Sequence, residues 1–96
     1  MEKLSLKALP KFLRQFKKFY PKDQESIRKE IKAIVNDPSI GEQKKGVLSY
    51  IRVHKFKIHH QLYLLAYEHD KKGKTVYLYA VATHENFYEN LSKYVK

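Results

Sequence analysis

A chain of 96 residues without cysteine has room for one small domain, residues 1–96, and for neither a disulfide framework nor a thiolate zinc site. No stretch approaches the roughly 20 apolar residues of a transmembrane helix, and the start MEKLSLKALPK has no apolar run long enough for a secretory signal. A cytoplasmic protein without membrane contact is therefore expected. The formal net charge of +10 points to a polyanionic partner, either nucleic acid or a very acidic protein.

In chain order, Glu2 to Lys7 alternates weakly, enough for a short edge strand. Pro10 suits the first turn of a helix, and Leu9, Phe12, Leu13, Phe16 and Tyr20 recur at helical spacing as one apolar stripe. Tyr20-Pro21-Lys22 breaks that helix, and Asp23 or its neighbours can cap a second one with the stripe Ile27, Ile31, Ile34 and Val35. Asn36-Asp37-Pro38 ends it. Joined so tightly, the two helices are expected to form a hairpin with one shared apolar face.

Ser39 to Gly46 reads as a loop carrying Lys44 and Lys45. Three strands are predicted next, over Val47 to Lys57, Gln61 to Glu68 and Thr75 to Ala82. The short link at Ile58-His59-His60 and the turn Asp70 to Lys74, with Gly73 supplying a positive φ, make them an antiparallel meander. Phe87, Leu91 and Tyr94 are spaced for a short C-terminal helix. The order predicts an α+β fold of one sheet and one helical layer, with Phe12, Phe16, Ile27, Ile31, Ile34, Leu64 and Leu78 buried. Tyrosines gather by parity on the last two strands, and an open aromatic, basic sheet face would suit RNA.

The chemistry concentrates in two segments. LYAVATHENFY places His84 at the mouth of a strand, with Tyr88 one helical turn further on if a helix follows. In RVHKFK, period-two alternation puts Arg52 and His54 on one face, which is expected to be the open one. Two imidazoles, an arginine and nearby lysines are what phosphodiester cleavage through the ribose 2′-hydroxyl needs, with no metal or other cofactor. No carboxylate or thiolate stands at ligand spacing from His54, His59, His60 or His84, which argues against a metal cluster.

The runs IRVHKFK, QLYLLAYE and VYLYAVATHENFYENL, with the preceding helix pair and KKG loop, resemble the RelE/ParE superfamily of bacterial type II toxins over nearly the whole chain. The resemblance implies a microbial-ribonuclease-like fold: a short N-terminal strand and a two-helix hairpin on an antiparallel sheet, then a short C-terminal helix. For the RelE branch it implies a ribosome-dependent mRNA endoribonuclease that inhibits translation. The partners would be mRNA and ribosomal RNA in the 30S A site, and a cognate antitoxin. It puts catalytic roles on His84, His54, Tyr88, Arg52 and Lys57, and RNA contacts on Lys44, Lys45, Arg52, Lys55 and Lys57. Leu64 stands where many RelE-type toxins carry arginine. The alternatives are ParE-like inhibition of DNA gyrase and a non-catalytic nucleic-acid-binding module.

Overall fold

The computed structural model describes residues 4–46 and 49–84. Strand β1 (Ser5–Ala8) is followed by helices α1 (Pro10–Lys17) and α2 (Pro21–Asn36) and a 3-10 turn (Pro38–Ile40). Strands β2 (Glu42–Gln43), β3 (Arg52–Ile58), β4 (Gln61–Asp70) and β5 (Thr75–Thr83) follow. The predicted C-terminal helix lies outside the described residues, as do Val47 and Leu48 at the start of the first predicted meander strand.

Both helices start on proline at a first-turn position, where its missing N–H is not needed and its fixed φ is already helical. Tyr20, held extended before Pro21, separates them. The side-chain amide of Gln24 donates to the carbonyls of Phe16 (3.2 Å) and Phe19 (3.1 Å), tying the end of α1 to the start of α2.

The sheet runs β1-β5-β4-β3-β2. The expected antiparallel meander β3-β4-β5 is present, and β1 joins it parallel to β5, so the sheet is mixed. Within the predicted loop, Glu42 and Gln43 pair with Val53 and Arg52 as a two-residue edge strand.

One core cluster joins the helices to the sheet. It includes Phe12, Ile27, Ile31, Ile34, Phe56, Ile58, Leu65, Tyr67, Val76, Leu78 and Val81. Burying an aliphatic side chain such as Ile27 or Ile34 stabilises the fold by about 1.5–3 kcal/mol. A second cluster on the other face holds Ile51, Val53, Leu64, Ala66 and Ala80. Leu64 is thus buried as expected, but away from the helices, and Phe16 is half-buried.

Pairing jumps from Ala66↔Ala80 to Tyr67↔Leu78, which leaves Tyr79 as an extra residue on β5. The bulge splits the expected tyrosine stripe. Tyr63 and Tyr67 lie on the helix side, while Tyr79 packs on the second cluster. In the β4–β5 turn the positive φ (51°) belongs to Lys74. Gly73 is needed for another reason: a Cβ there would sit 2.6 Å from Asp70 Oδ2, beside the carboxylate that accepts from the Gly73 N–H.

Candidate active site

Strand β3 carries most of the expected site residues, and its parity decides where they point. Phe56 and Ile58 belong to the helix-facing core, whereas Val53 belongs to the second cluster. Alternation therefore turns Arg52 and His54 toward the helical layer and Lys55 and Lys57 toward the opposite face. This reverses the expectation for Arg52 and His54. Each side of the strand is buried over part of its length, at Val53 on one and at Phe56 and Ile58 on the other, so its apolar residues change parity between Val53 and Phe56.

His54 Nε2 lies 2.7 Å from Glu30 Oε1 on α2, and the imidazole stacks on Phe56 with ring centroids 5.9 Å apart. One hairpin turn away, His59 Nε2 lies 3.0 Å from Asp23 Oδ1. Asp23 and Glu30 are seven residues apart, two helical turns, so they stand on one edge of α2. The sequence marked Asp23 only as a cap, whereas Tyr20 takes the N-cap position, and neither carboxylate was read as a histidine partner. His59 (φ 51°) and His60 (φ 70°) form a two-residue turn in the left-handed region, where Asn-Gly is the commoner choice. The direct pairing Ile58↔Gln61 requires it.

Arg52 closes a network at the other end of β3. Its Nη1 donates to the carbonyls of Gly41 (2.8 Å) and Ser39 (3.4 Å). The Tyr67 hydroxyl donates to the Pro38 carbonyl and accepts from the Gly41 N–H at 2.9 Å. Burial pushes that phenol's pKa upward. Asp37 is held below its ordinary range, first by the Ser39 hydroxyl (2.6 Å) and then by the Ser39 N–H (3.2 Å), with a smaller contribution from Arg52. An open cavity of about 450 Å³ adjoins this network, with Tyr50, Glu68 and Lys71 on its walls.

Lys55 and Lys57 are exposed, and neither has an ion-pair partner among the described residues. Lys55 pairs with Leu64, which pairs with Ala82. Lys57 pairs with Leu62, and β5 ends opposite Tyr63 at Thr83, with exposed His84 following just beyond the strand. Two strand spacings, roughly 10 Å, separate Lys57 on β3 from the end of β5 that His84 follows. Leu64, in the position where arginine was expected, is fully buried beside Lys55. Tyr88 lies outside the described residues.

Lys44, 3.6 Å from Glu42 and hydrogen-bonded through its N–H to Ile51, sits with exposed Lys45 near the start of β3. Six residues of strand separate Ile51 from Lys57, roughly 20 Å, so the two lysine pairs cannot serve one phosphate. Among the described residues, no three of His, Asp and Glu converge as a metal-ligand group.

The model of the ParE-like toxins of type II bacterial toxin–antitoxin systems matches residues 6–92. No curated protein matches significantly. Among solved structures, the toxin–antitoxin complex RelBE2 of Mycobacterium tuberculosis contains a chain with TM-score 0.74 at 15% identity, covering 86% of this chain and 100% of that one. A doubly substituted RelE toxin of Escherichia coli in the free state gives 0.73 at 16%, covering 97% and 94%. A chain of the intact E. coli RelBE complex gives 0.68 at 19%, covering 83% and 95%. At these identities the structural likeness establishes the fold, two helices on one face of a five-stranded sheet. The family match spans nearly the whole chain, and this protein belongs to the ParE-like toxins of type II bacterial toxin–antitoxin systems.

Proposed function

We propose that this chain is the toxin of a bacterial cytoplasmic pair and cleaves mRNA in the 30S A site, and that a cognate antitoxin restrains it. The observation that carries the ribonuclease reading is that exposed Lys55 and Lys57 on β3 and exposed His84, just after β5, lie toward the same end of the sheet. The ribose 2′-oxygen attacks phosphorus as the bond to the 5′-oxygen breaks. One lysine amine takes the 2′ proton while the other faces the phosphorane charge, and the His84 imidazolium protonates the leaving 5′-oxygen. The products are a 2′,3′-cyclic phosphate and a free 5′-hydroxyl. Tyr88, four residues on in sequence, stacks on a substrate base.

Arg52 and His54, on the other face, hold β3 to the 3-10 turn and to α2 and take no part in proton transfer. Lys44 and Lys45 contact RNA phosphates away from the scissile bond. The antitoxin is supported by the fold shared with chains from two RelBE complexes and by the charge of +10, which favours an acidic partner.

One observation favours the ParE-like alternative of gyrase inhibition: Leu64 is buried core where nuclease-type relatives were expected to carry arginine. Purified protein added to a reconstituted translation system separates the two. Discrete mRNA cuts with 5′-hydroxyl ends support the ribonuclease. Intact mRNA together with arrested gyrase supercoiling would transfer the assignment to the gyrase inhibitor, and neither effect would leave a binding module.

A further inference from the structure

A cavity of about 420 Å³ opens where α1 ends, beside the last residues of β5, a volume in the range of small-molecule sites. Its walls are aromatic. Phe19 meets Tyr63 edge-on at 5.5 Å, and Tyr20 is 79% exposed. Tyr20 stands at the N-cap of α2 yet makes no side-chain capping bond, so its ring is not accounted for by the helix.

Gln15 adds a directed polar group. Strand β1 ends at Ala8 opposite Leu78, so it does not extend far enough to pair with Val81. The Val81 N–H instead donates to Gln15 Oε1 at 2.8 Å. That bond fixes the orientation of the amide, because its oxygen is committed to the backbone, and the NH₂ remains a donor at the cavity. Asp23 contributes an acceptor, exposed Lys18 contributes a cation at the rim, and Thr83 on the wall is the residue before His84.

A π-face wall, one oriented amide donor and a neighbouring cation are the chemistry that holds an unstacked nucleobase of single-stranded RNA. We infer that this pocket, on the helix side of the sheet, seats a base of the RNA strand where it rounds the end of β5 from the face of Lys55 and Lys57, with Tyr20 stacking on it and the Gln15 amide donating to its edge. The inference rests on the ribonuclease reading for its substrate, and on the pocket alone for its position.

Two arms test it. In the first, ¹⁵N-labelled full-length protein is titrated at low salt with a 2′-O-methylated trinucleotide, which lacks the attacking hydroxyl and stays intact. Shifts should concentrate at the Gln15 side-chain amide, Tyr20 and Thr83. In the second, variants are assayed for mRNA cleavage during reconstituted translation. Tyr20→Ala should lower kcat/KM by about 10- to 100-fold, the range of one lost base–aromatic stack, while Tyr20→Phe retains activity. Gln15→Glu keeps the acceptor for Val81 and removes the donor, so it should change base preference at the cut without lowering Tm. Cleavage by wild type with no shifts in the pocket, and Tyr20→Ala equal to wild type, would overturn the pocket and leave the ribonuclease standing. Pocket shifts in a protein that never cleaves would retain the base site and discard the ribonuclease.

Discussion

At the Arg52 end of β3 the polar side chains direct their hydrogen bonds into the protein. Arg52 holds the Gly41 and Ser39 carbonyls, Tyr67 bridges Pro38 and Gly41, and Ser39 donates to Asp37. At the Lys57 end Lys55 and Lys57 are exposed and, among the described residues, take no ion-pair partner. Both ends are basic, so charge does not separate them. What does is parity: the even residues of β3 meet the helices and the 3-10 turn, and the odd ones take the opposite side, where Lys55 and Lys57 are exposed. An arginine that donates to two backbone carbonyls is a structural part, whereas lysines left on a sheet face can still meet a phosphate.

The sharpest way to break this contrast is His84→Ala. Removing one proton-transfer group typically costs about 10²–10⁴-fold in rate. The variant should nearly lose mRNA cleavage in reconstituted translation while keeping its Tm and antitoxin binding. Undiminished cutting would remove His84 from the chemistry.

On the structural side, Ile31→Ala deletes a side chain from the core between the helices and the sheet and should cost about 2–5 kcal/mol in urea unfolding. Gly41→Ala sharpens the account of the Arg52 end. The new Cβ would stand 2.6 Å from the Tyr67 hydroxyl and 2.8 Å from its ring. Overpacking of this kind costs about 1–3 kcal/mol. Chemical denaturation should show the loss, with cleavage per folded molecule unchanged.

The apolar periods made much of the fold legible. Helical spacing marks α1 and α2, Pro21 divides them, and alternation marks the meander. The face of Arg52 and His54 was not legible, because Ile51 and Val53 suggest one buried side and Phe56 and Ile58 the other. A strand buried over part of each face has no outward parity to read. Nor could alternation anticipate the extra residue Tyr79, since a bulge follows from how β4 and β5 meet. The parallel pairing of β1 depends on residues about 70 positions apart, beyond any local pattern. The partners of His54 and His59 are non-local for the same reason, on a helix more than 20 residues away.

Smaller effects test the ends separately. Charge reversal at Lys44 and Lys45 should weaken RNA binding and flatten its salt dependence, while single-turnover cleavage at saturation stays the same. Asp37 titrates with the closed network. Its folded pKa is lowered from the ordinary 3.8, so its contribution to stability is present above that value and fades as the pH falls through the depressed folded pKa. Ser39→Ala should return the carboxyl toward its ordinary range in an NMR titration; an unmoved midpoint would contradict the role given to Ser39.

The most direct measurement compares the two ends in one assay: single-turnover mRNA cleavage on programmed ribosomes at saturating protein, for Lys57→Ala and Arg52→Met. Loss of one group that stabilises transition-state charge costs about 10²–10³-fold, so Lys57→Ala should be slower by that factor. Arg52→Met should lower Tm and leave the rate of the folded protein intact. A variant pair in which Arg52→Met abolishes cleavage and Lys57→Ala cuts at the wild-type rate would contradict the assignment of the chemistry to the Lys57–His84 end.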